Sequence, residues 1–391
     1  MAGRQDVAVV LSGGSVNGVL MELGFLKRLR ESELWPRVGW IFGTSAGALS
    51  GSMAVLERLD DLQRFMLALQ PADAFRPNRL WRLPLLGVHE YALPRTIAER
   101  IGDLTELATA LARAERELIV FATDATPGDG GPDVRDYELM YSSRRTPPEE
   151  LAQAIMASAA ISALVLPVRV GDRIATDGAW VRNFPLGHAH ARPGVRMIVA
   201  FRYLPRYPHF GSEGLARMRR RLERFPRIPP VRALIAELRE AEERDRRGEP
   251  AHLPEMILRL SAAAVVRNTV VEELRVAERD QSIRELTRLR GDVARLVTRH
   301  VRNRKERAEL LLALDERFAT ARFPFRHDRA IPRITVRGSV SEVSLEPGFR
   351  DQKPWTDEAK LALIARGYEL ADRELRAAGL DEEPRAETAA G

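Results

Sequence analysis

Apolar residues follow two different rhythms along this chain, and the change of rhythm divides it. Val7 to Leu11 is a continuous, largely β-branched apolar run, the pattern of a strand buried on both faces in a parallel sheet. It runs straight into Ser12-Gly13-Gly14-Ser15-Val16-Asn17-Gly18, after which Leu20, Leu23, Leu26 and Leu29 recur at helical intervals through Arg30. Trp40, Ile41 and Phe42 form a second short apolar run. Gly43-Thr44-Ser45-Ala46-Gly47 follows, and helical spacing resumes from Ala46 to Arg58. Two strand-loop-helix units in succession predict a parallel sheet with its functional loops at the carboxyl ends of the strands.

A polar helix is expected from about Asp60. Pro77 to Gly87 mixes prolines with large apolar residues and has no period, so it reads either as the wall of an apolar pocket or as a loop packed on the core. Leu104 to Arg116 has the pattern of an amphipathic helix, and Leu118 to Thr123 that of another buried strand. Gly128 to Asp133 is a glycine-rich turn before a strand around Tyr137 to Tyr141. Pro147-Pro148-Glu149-Glu150 then opens an alanine-rich helix, with prolines and acids where a helix start favours them. No residue from Leu151 to Val168 is charged, but Gln153, Ser158, Ser162 and Pro167 interrupt the stretch. A buried helix followed by a turn accounts for it better than a membrane span. Val168 to Ala175 reads as a hairpin turning at Gly171-Asp172, which delivers Thr176-Asp177-Gly178-Ala179, and Val195 to Phe201 is a further buried strand.

At about Tyr207 the rhythm changes. From there to Arg322 the chain is heavily charged, poor in glycine and helical in pattern. Leu253, Ile257, Leu260, Ala264, Val271 and Leu274 mark one apolar stripe, and Ile283, Leu286, Val293 and Leu296 another, as in a bundle or helical hairpins packed on a core. Ile334 to Val343 returns to strand-like alternation, and Thr356 to Ala378 is a closing helix with a threonine N-cap. The expected organisation is a core over 1–206, a helical segment over 207–325, a return to the core over 326–380 and a mobile tail over 381–391.

Composition narrows the picture. With 391 residues, 45% of them hydrophobic, the chain can bury a large core. It has no cysteine, which excludes disulfides and thiolate metal sites and is compatible with a reducing compartment. Val7 to Leu11 meets glycines too soon to serve as a signal-peptide core, and a cytoplasmic protein is expected. The net charge of +6 comes mostly from arginine. Arg217 to Arg232 and Arg299 to Arg307 are arginine-rich, and read either as solvated helix faces or as surfaces for peripheral contact with an anionic membrane. No nucleic-acid partner is expected.

The chemistry centres on G-x-S-x-G. A serine held between strand and helix with small neighbours has its hydroxyl beside the first N–H groups of the helix, where the positive end of the dipole favours a developing anion. The spacing alone is equally that of a small-residue turn without chemistry. Of the seven histidines, His89, His188, His190, His209, His252, His300 and His327, none stands in a convincing context as its base. Asp177 is better placed: a carboxylate within reach of Ser45 Oγ could orient and deprotonate it. Read alone, Asp177 is an ordinary Asp-Gly turn residue. Backbone N–H groups of Gly13, Gly14 and Ser15 form an anion cradle, and the loop lacks both the lysine of a P-loop and the G-x-G-x-x-G spacing, which favours an oxyanion hole over a nucleotide site.

Glycine loop, G-x-S-x-G and D-G-A occur in that order, and in this the chain resembles the patatin-like phospholipase family. The matching words are Leu11-Ser12-Gly13-Gly14 with Gly18, Gly43-Thr44-Ser45-Ala46-Gly47, Ala157-Ser158-Ala159 before Pro167, and Asp177-Gly178-Ala179 with Asn183 and Pro185. The resemblance spans about residues 5 to 205, and Trp355 to Gly379 looks similar to the family's closing helix. It implies a three-layer α/β/α fold with a mostly parallel central sheet, a Ser45–Asp177 dyad without histidine, a lipid or phospholipid substrate hydrolysed at its acyl ester, and no metal or cofactor. Three positions depart from the family pattern: Ser15 replaces the third glycine of the loop, Asn17 its basic residue, and Ser162 a proline. These departures leave open a catalytically inactive member that binds lipid or a protein partner.

Overall fold

A computed structural model describes residues 5–78, 89–128, 131, 133–162, 164–204, 213–225, 229–249, 253–321, 330–339, 345 and 354–380. In chain order the first elements are β1 (Val7–Leu11), α1 (Ser15–Arg30), β2 (Val38–Thr44), α2 (Ala46–Val55), α3 (Leu59–Ala68), α4 (Pro71–Ala74), β3 (Phe75–Pro77) and β4 (His89–Tyr91). Next come α5 (Leu93–Arg100), α6 (Leu104–Arg113), β5 (Glu117–Asp124), β6 (Glu138–Ser142), α7 (Pro148–Ser158), β7 (Val168–Val170), β8 (Arg173–Asp177), α8 (Ala179–Arg182), α9 (Leu186–Ala191) and β9 (Met197–Leu204). The remainder is α10 (Glu213–Leu222), α11 (Pro229–Arg246), α12 (Leu253–His300), α13 (Arg304–Thr320), β10 (Arg333–Ser339) and α14 (Asp357–Ala377).

One sheet runs in the order β10-β9-β1-β2-β5-β8-β7, with β6 also on β5. The strands from β10 to β5 are parallel, and β6, β7 and β8 are antiparallel to their neighbours. Alternate residues of β1 face opposite layers. Val7, Val9 and Leu11 join the core formed with α1, α2 and α14, while Ala8 and Val10 join a second core with Leu186 and Ala189 of α9 and Val276 of α12. That is why the run is apolar without alternation: both faces of the strand are covered. The expected three-layer arrangement with a mostly parallel sheet is the one observed.

The closing helix α14 starts on Thr356, whose hydroxyl accepts the Ala359 N–H, and it lies against α1. Their backbones touch where two glycines meet. A Cβ on Gly24 would run into the Ile364 carbonyl oxygen, and one on Gly367 into that of Met21.

Two features differ from the sequence-based expectation. The two apolar stripes between Leu253 and Leu296 belong to one uninterrupted helix, α12, 48 residues and therefore about 72 Å long. The stripes are also not, apart from Ile283, the buried face: Leu260, Leu274 and Leu296 are exposed, and the side of α12 that is buried carries Thr269, Glu272, Val276, Asp280 and Ile283, a mostly polar row that apolar spacing does not reveal. The short hairpin β3–β4 and the helices α4 and α5 were not expected, because elements of three to eight residues carry too little periodicity to read. Most of the Pro77 to Gly87 loop, Val340 to Val343 and the tail from 381 lie outside the described residues. Among the described residues no helix is long and apolar enough to cross a membrane.

Candidate functional site

Ser45 joins β2 to α2 at φ 53° and ψ −114°, a backbone conformation that a residue with a side chain keeps only when its surroundings impose it. The imposing contacts are visible. Its N–H donates to Ser158 Oγ at 2.8 Å, and the Ser158 hydroxyl donates to the Phe121 carbonyl at 2.6 Å. A Cβ on Gly43 would strike the Gly47 carbonyl oxygen, and one on Gly47 would come within 2.6 Å of the Leu11 carbonyl oxygen. The motif's glycines are thus steric requirements of a turn that passes directly over the end of β1. Ser158 is a supporting residue that only its place in the Ala157-Ser158-Ala159 word had signalled.

Asp177 arrives from the other direction. β8 runs antiparallel to β5 while β2 runs parallel to it, with Thr44 opposite Phe121 and Asp177 opposite the next residue, Ala122. The carboxyl ends of β2 and β8 therefore meet. Ser45 Oγ donates to Asp177 Oδ2 at 2.9 Å, and Asp177 Oδ1 accepts the Ala179 N–H at 2.8 Å. Both side chains are buried. Burial pushes the Asp177 carboxyl up to about 6, against the downward pull of the Ala179 amide and the Ser45 hydroxyl.

No described histidine bonds to either residue. His89 lies edge-on to the Phe75 ring, His188 pairs with Glu138, His190 pairs with Asp280 and His300 ends α12. His209, His252 and His327 fall outside the described residues.

Of the three amides expected to cradle an anion, one is already committed: the Gly13 N–H donates to the Asn183 carbonyl at 3.1 Å. Those of Gly14 and Ser15, at the positive end of α1, have no acceptor among the described residues. Ser15 has φ 53°, the left-handed region that glycine enters at least cost. Serine therefore keeps the bend of this loop at some strain, and its buried hydroxyl has no partner among the described residues. Asn17, in place of a basic residue, is buried and accepts the Leu345 N–H at 2.8 Å, tying the start of α1 to the returning chain. Ser162 bonds Thr176 Oγ1 at 2.7 Å beside β8.

An apolar cavity opens at Ser45 and Ser15 and runs between the helices. Its lining includes Val16 of α1, Leu49 of α2, Met66 of α3, Ile97 of α5, Leu111 of α6 and Met156 of α7, and no charged side chain. Such a cavity suits a hydrocarbon chain attached to the atom that Ser45 would attack.

Residues 9–190 match the family model described as patatin-like phospholipase. Over these residues the chain is similar to a patatin-like phospholipase domain. Enzymes of this family are lipid acyl hydrolases. Among solved structures the chain matches the crystal structure of VipD from Legionella pneumophila at 13% identity and a TM-score of 0.44, covering 96% of this chain and 67% of that one. No curated protein matches it. Ser45, Asp177 and the Gly13 to Ser15 loop all fall within the patatin-like domain, whereas the long helix α12 and the closing helix α14 lie beyond it. Among the described residues no cluster of His, Asp or Glu could hold a metal ion.

Proposed function

We propose that the patatin-like domain hydrolyses acyl esters of lipids, with Ser45 as nucleophile and Asp177 as its general base. The observation that carries this reading is the buried 2.9 Å hydrogen bond from Ser45 Oγ to Asp177 Oδ2. Asp177 takes the hydroxyl proton as Ser45 Oγ attacks the ester carbonyl, and the N–H groups of Gly14 and Ser15 hold the oxyanion. Gly13 shapes the loop through its bond to Asn183. The tetrahedral intermediate collapses, the carbon–oxygen bond to the leaving alcohol breaks, and Asp177 returns the proton to that alcohol. Water, deprotonated by Asp177, then attacks the acyl-serine, the bond from the acyl carbon to Ser45 Oγ breaks, and Asp177 returns the proton to Ser45 Oγ as the fatty acid leaves. The cavity holds the acyl chain, and these steps need no metal or cofactor.

Residues 1–206 and 326–380 form the catalytic unit in this reading, and 207–325 an arm. The tip of the arm, where α12 passes to α13, gathers Arg299, Arg302, Arg304, Lys305 and Arg307 beside the exposed Leu296 and Leu312. It would bring a cytoplasmic enzyme to an anionic membrane surface.

The committed Gly13 amide motivates one other reading, a domain that binds lipid without turning it over. A fluorophosphonate probe separates the two: covalent labelling of Ser45 supports the enzyme. Purified protein is assayed on short-chain nitrophenyl esters and phospholipid vesicles beside Ser45→Ala and Asp177→Asn. Both variants are expected to fall by roughly 10³-fold or more. Parent-like rates in either variant would remove it from the mechanism.

A further inference from the structure

Asn183 stands between the loop that holds the oxyanion and the long helix outside the family match. Its carbonyl accepts the Gly13 N–H at 3.1 Å, and its side-chain oxygen lies so close to Gly13 that a Cβ there would collide with it. Its Nδ2 donates to Thr269 Oγ1 at 2.7 Å, and Asn183 and Thr269 are both buried. The orientation of this amide is fixed by bookkeeping of protons. The Thr269 hydroxyl donates to the Val265 carbonyl at 2.8 Å, so it has only acceptor capacity left, and the Asn183 atom facing it must be the NH₂. Oδ1 is thereby turned toward Gly13, where it has no donor among the described residues. A buried carbonyl oxygen left unmatched carries a desolvation cost, which the bonds made by the rest of the Asn183 residue offset.

The same stripe of α12 grips the surrounding segment at successive turns. Asn268 Nδ2 donates to the Trp180 carbonyl at 2.6 Å, and Glu272 accepts Arg182 Nη1 at 2.9 Å and the Gly187 N–H at 2.8 Å. Asp280 bonds His190 Nε2 at 2.7 Å. Every one of these bonds lands between residues 180 and 190, just after Asp177.

We infer that α12 positions the oxyanion loop: Thr269 orients Asn183, and Asn183 sets the place of Gly13 and hence of the Gly14 and Ser15 amides. Thr269 and Asn183 are positioning residues, since neither touches the substrate carbon. The inference rests on the proposed Ser45 chemistry only for its catalytic consequence. The structural link stands apart from it and is read separately.

Thr269→Val keeps the shape and removes the hydroxyl; Thr269→Ser restores it. Two measurements are made on the full chain. The first is amide hydrogen exchange in the segment containing Gly13, Gly14 and Ser15. The second is steady-state hydrolysis of a short-chain nitrophenyl ester, referred to the fraction of folded protein. Thr269→Val is expected to speed exchange in this segment at least tenfold, and to lower kcat roughly 10- to 100-fold with KM within about twofold. Thr269→Ser is expected to recover both. Should Thr269→Val not fold, Thr269→Ala takes its place in the same comparison. Unchanged exchange overturns the link. Faster exchange with parent-like kcat overturns its catalytic role. If the parent hydrolyses no ester, the functional reading fails, and the exchange result alone decides whether α12 holds the loop.

Discussion

Between pH 5 and 7 the Asp177 carboxyl changes its charge, because burial has moved it to about 6. In the proposed mechanism Asp177 acts as the ionised general base, so activity should rise with pH through about 6 and level off above 7. A kcat/KM profile on a soluble ester is expected to show this single acidic limb. A limb centred near 4 would mean that a different group sets the profile. Stability moves the other way. The folded pKa lies above the unfolded value of about 3.9, so the native state holds more protons between the two. The contribution is full below about 4 and is lost as pH rises through about 6. The proposed mechanism is therefore expected to run fastest where this carboxylate costs the fold most. Ser15 is a smaller case of local strain, with a left-handed backbone imposed on a residue that disfavours it in the cavity it shares with Ser45.

Helices α1 and α14 illustrate what one element requires of another. The glycine crossing of Gly24 and Gly367 lets their backbones touch, and α1 carries the Gly13 to Ser15 loop at its start. Gly24→Ala should force the pair apart and cost about 2–3 kcal/mol, read as a lower urea midpoint at an unchanged slope. Gly128→Ala has open space around it and serves as the control, with an expected change within about 0.5 kcal/mol. On α1, Glu22 is wholly buried and accepts the Ser50 hydroxyl from α2 at 2.5 Å. Burial holds its carboxyl well above the usual range, and the two helices that flank Ser45 are joined here through a buried hydrogen bond rather than an ion pair. Helical periodicity marked α1 and α14 in the sequence, but nothing in either helix alone showed that they were partners. The glycines that make the contact possible are 343 positions apart, and only the fold brings them together.

For the molecule as a whole, the proposed membrane contact depends on charge and should respond to salt. Binding to phosphatidylserine vesicles is expected to weaken several-fold or more between 50 and 500 mM salt, and in an Arg302→Glu, Arg304→Glu double variant by about tenfold or more. Hydrolysis of a soluble ester should stay unchanged in that variant, since the arm tip is remote from Ser45 in the proposed reading. Salt-insensitive binding, or equal binding by both proteins, would leave the arginine-rich tip a solvated surface.

Several features were legible from residue order alone, because each is local. An unbroken apolar run marks a strand covered on both faces, helical spacing marks α1 and α14, and glycines around Ser45 mark a turn too tight for side chains. Asp177 could be singled out by its Asp-Gly-Ala setting, but a sequence contains no distance between residues 45 and 177. The sheet supplies it, by running β2 and β8 toward each other on either side of β5. The fate of the Gly13 amide, the task of Asn17 at Leu345 and the grip of α12 on Asn183 were likewise undetectable. Each joins segments far apart in the chain, and a hydrogen bond between such segments leaves no periodicity behind. Local pattern determined which elements form; packing across the sheet decided which of their side chains meet.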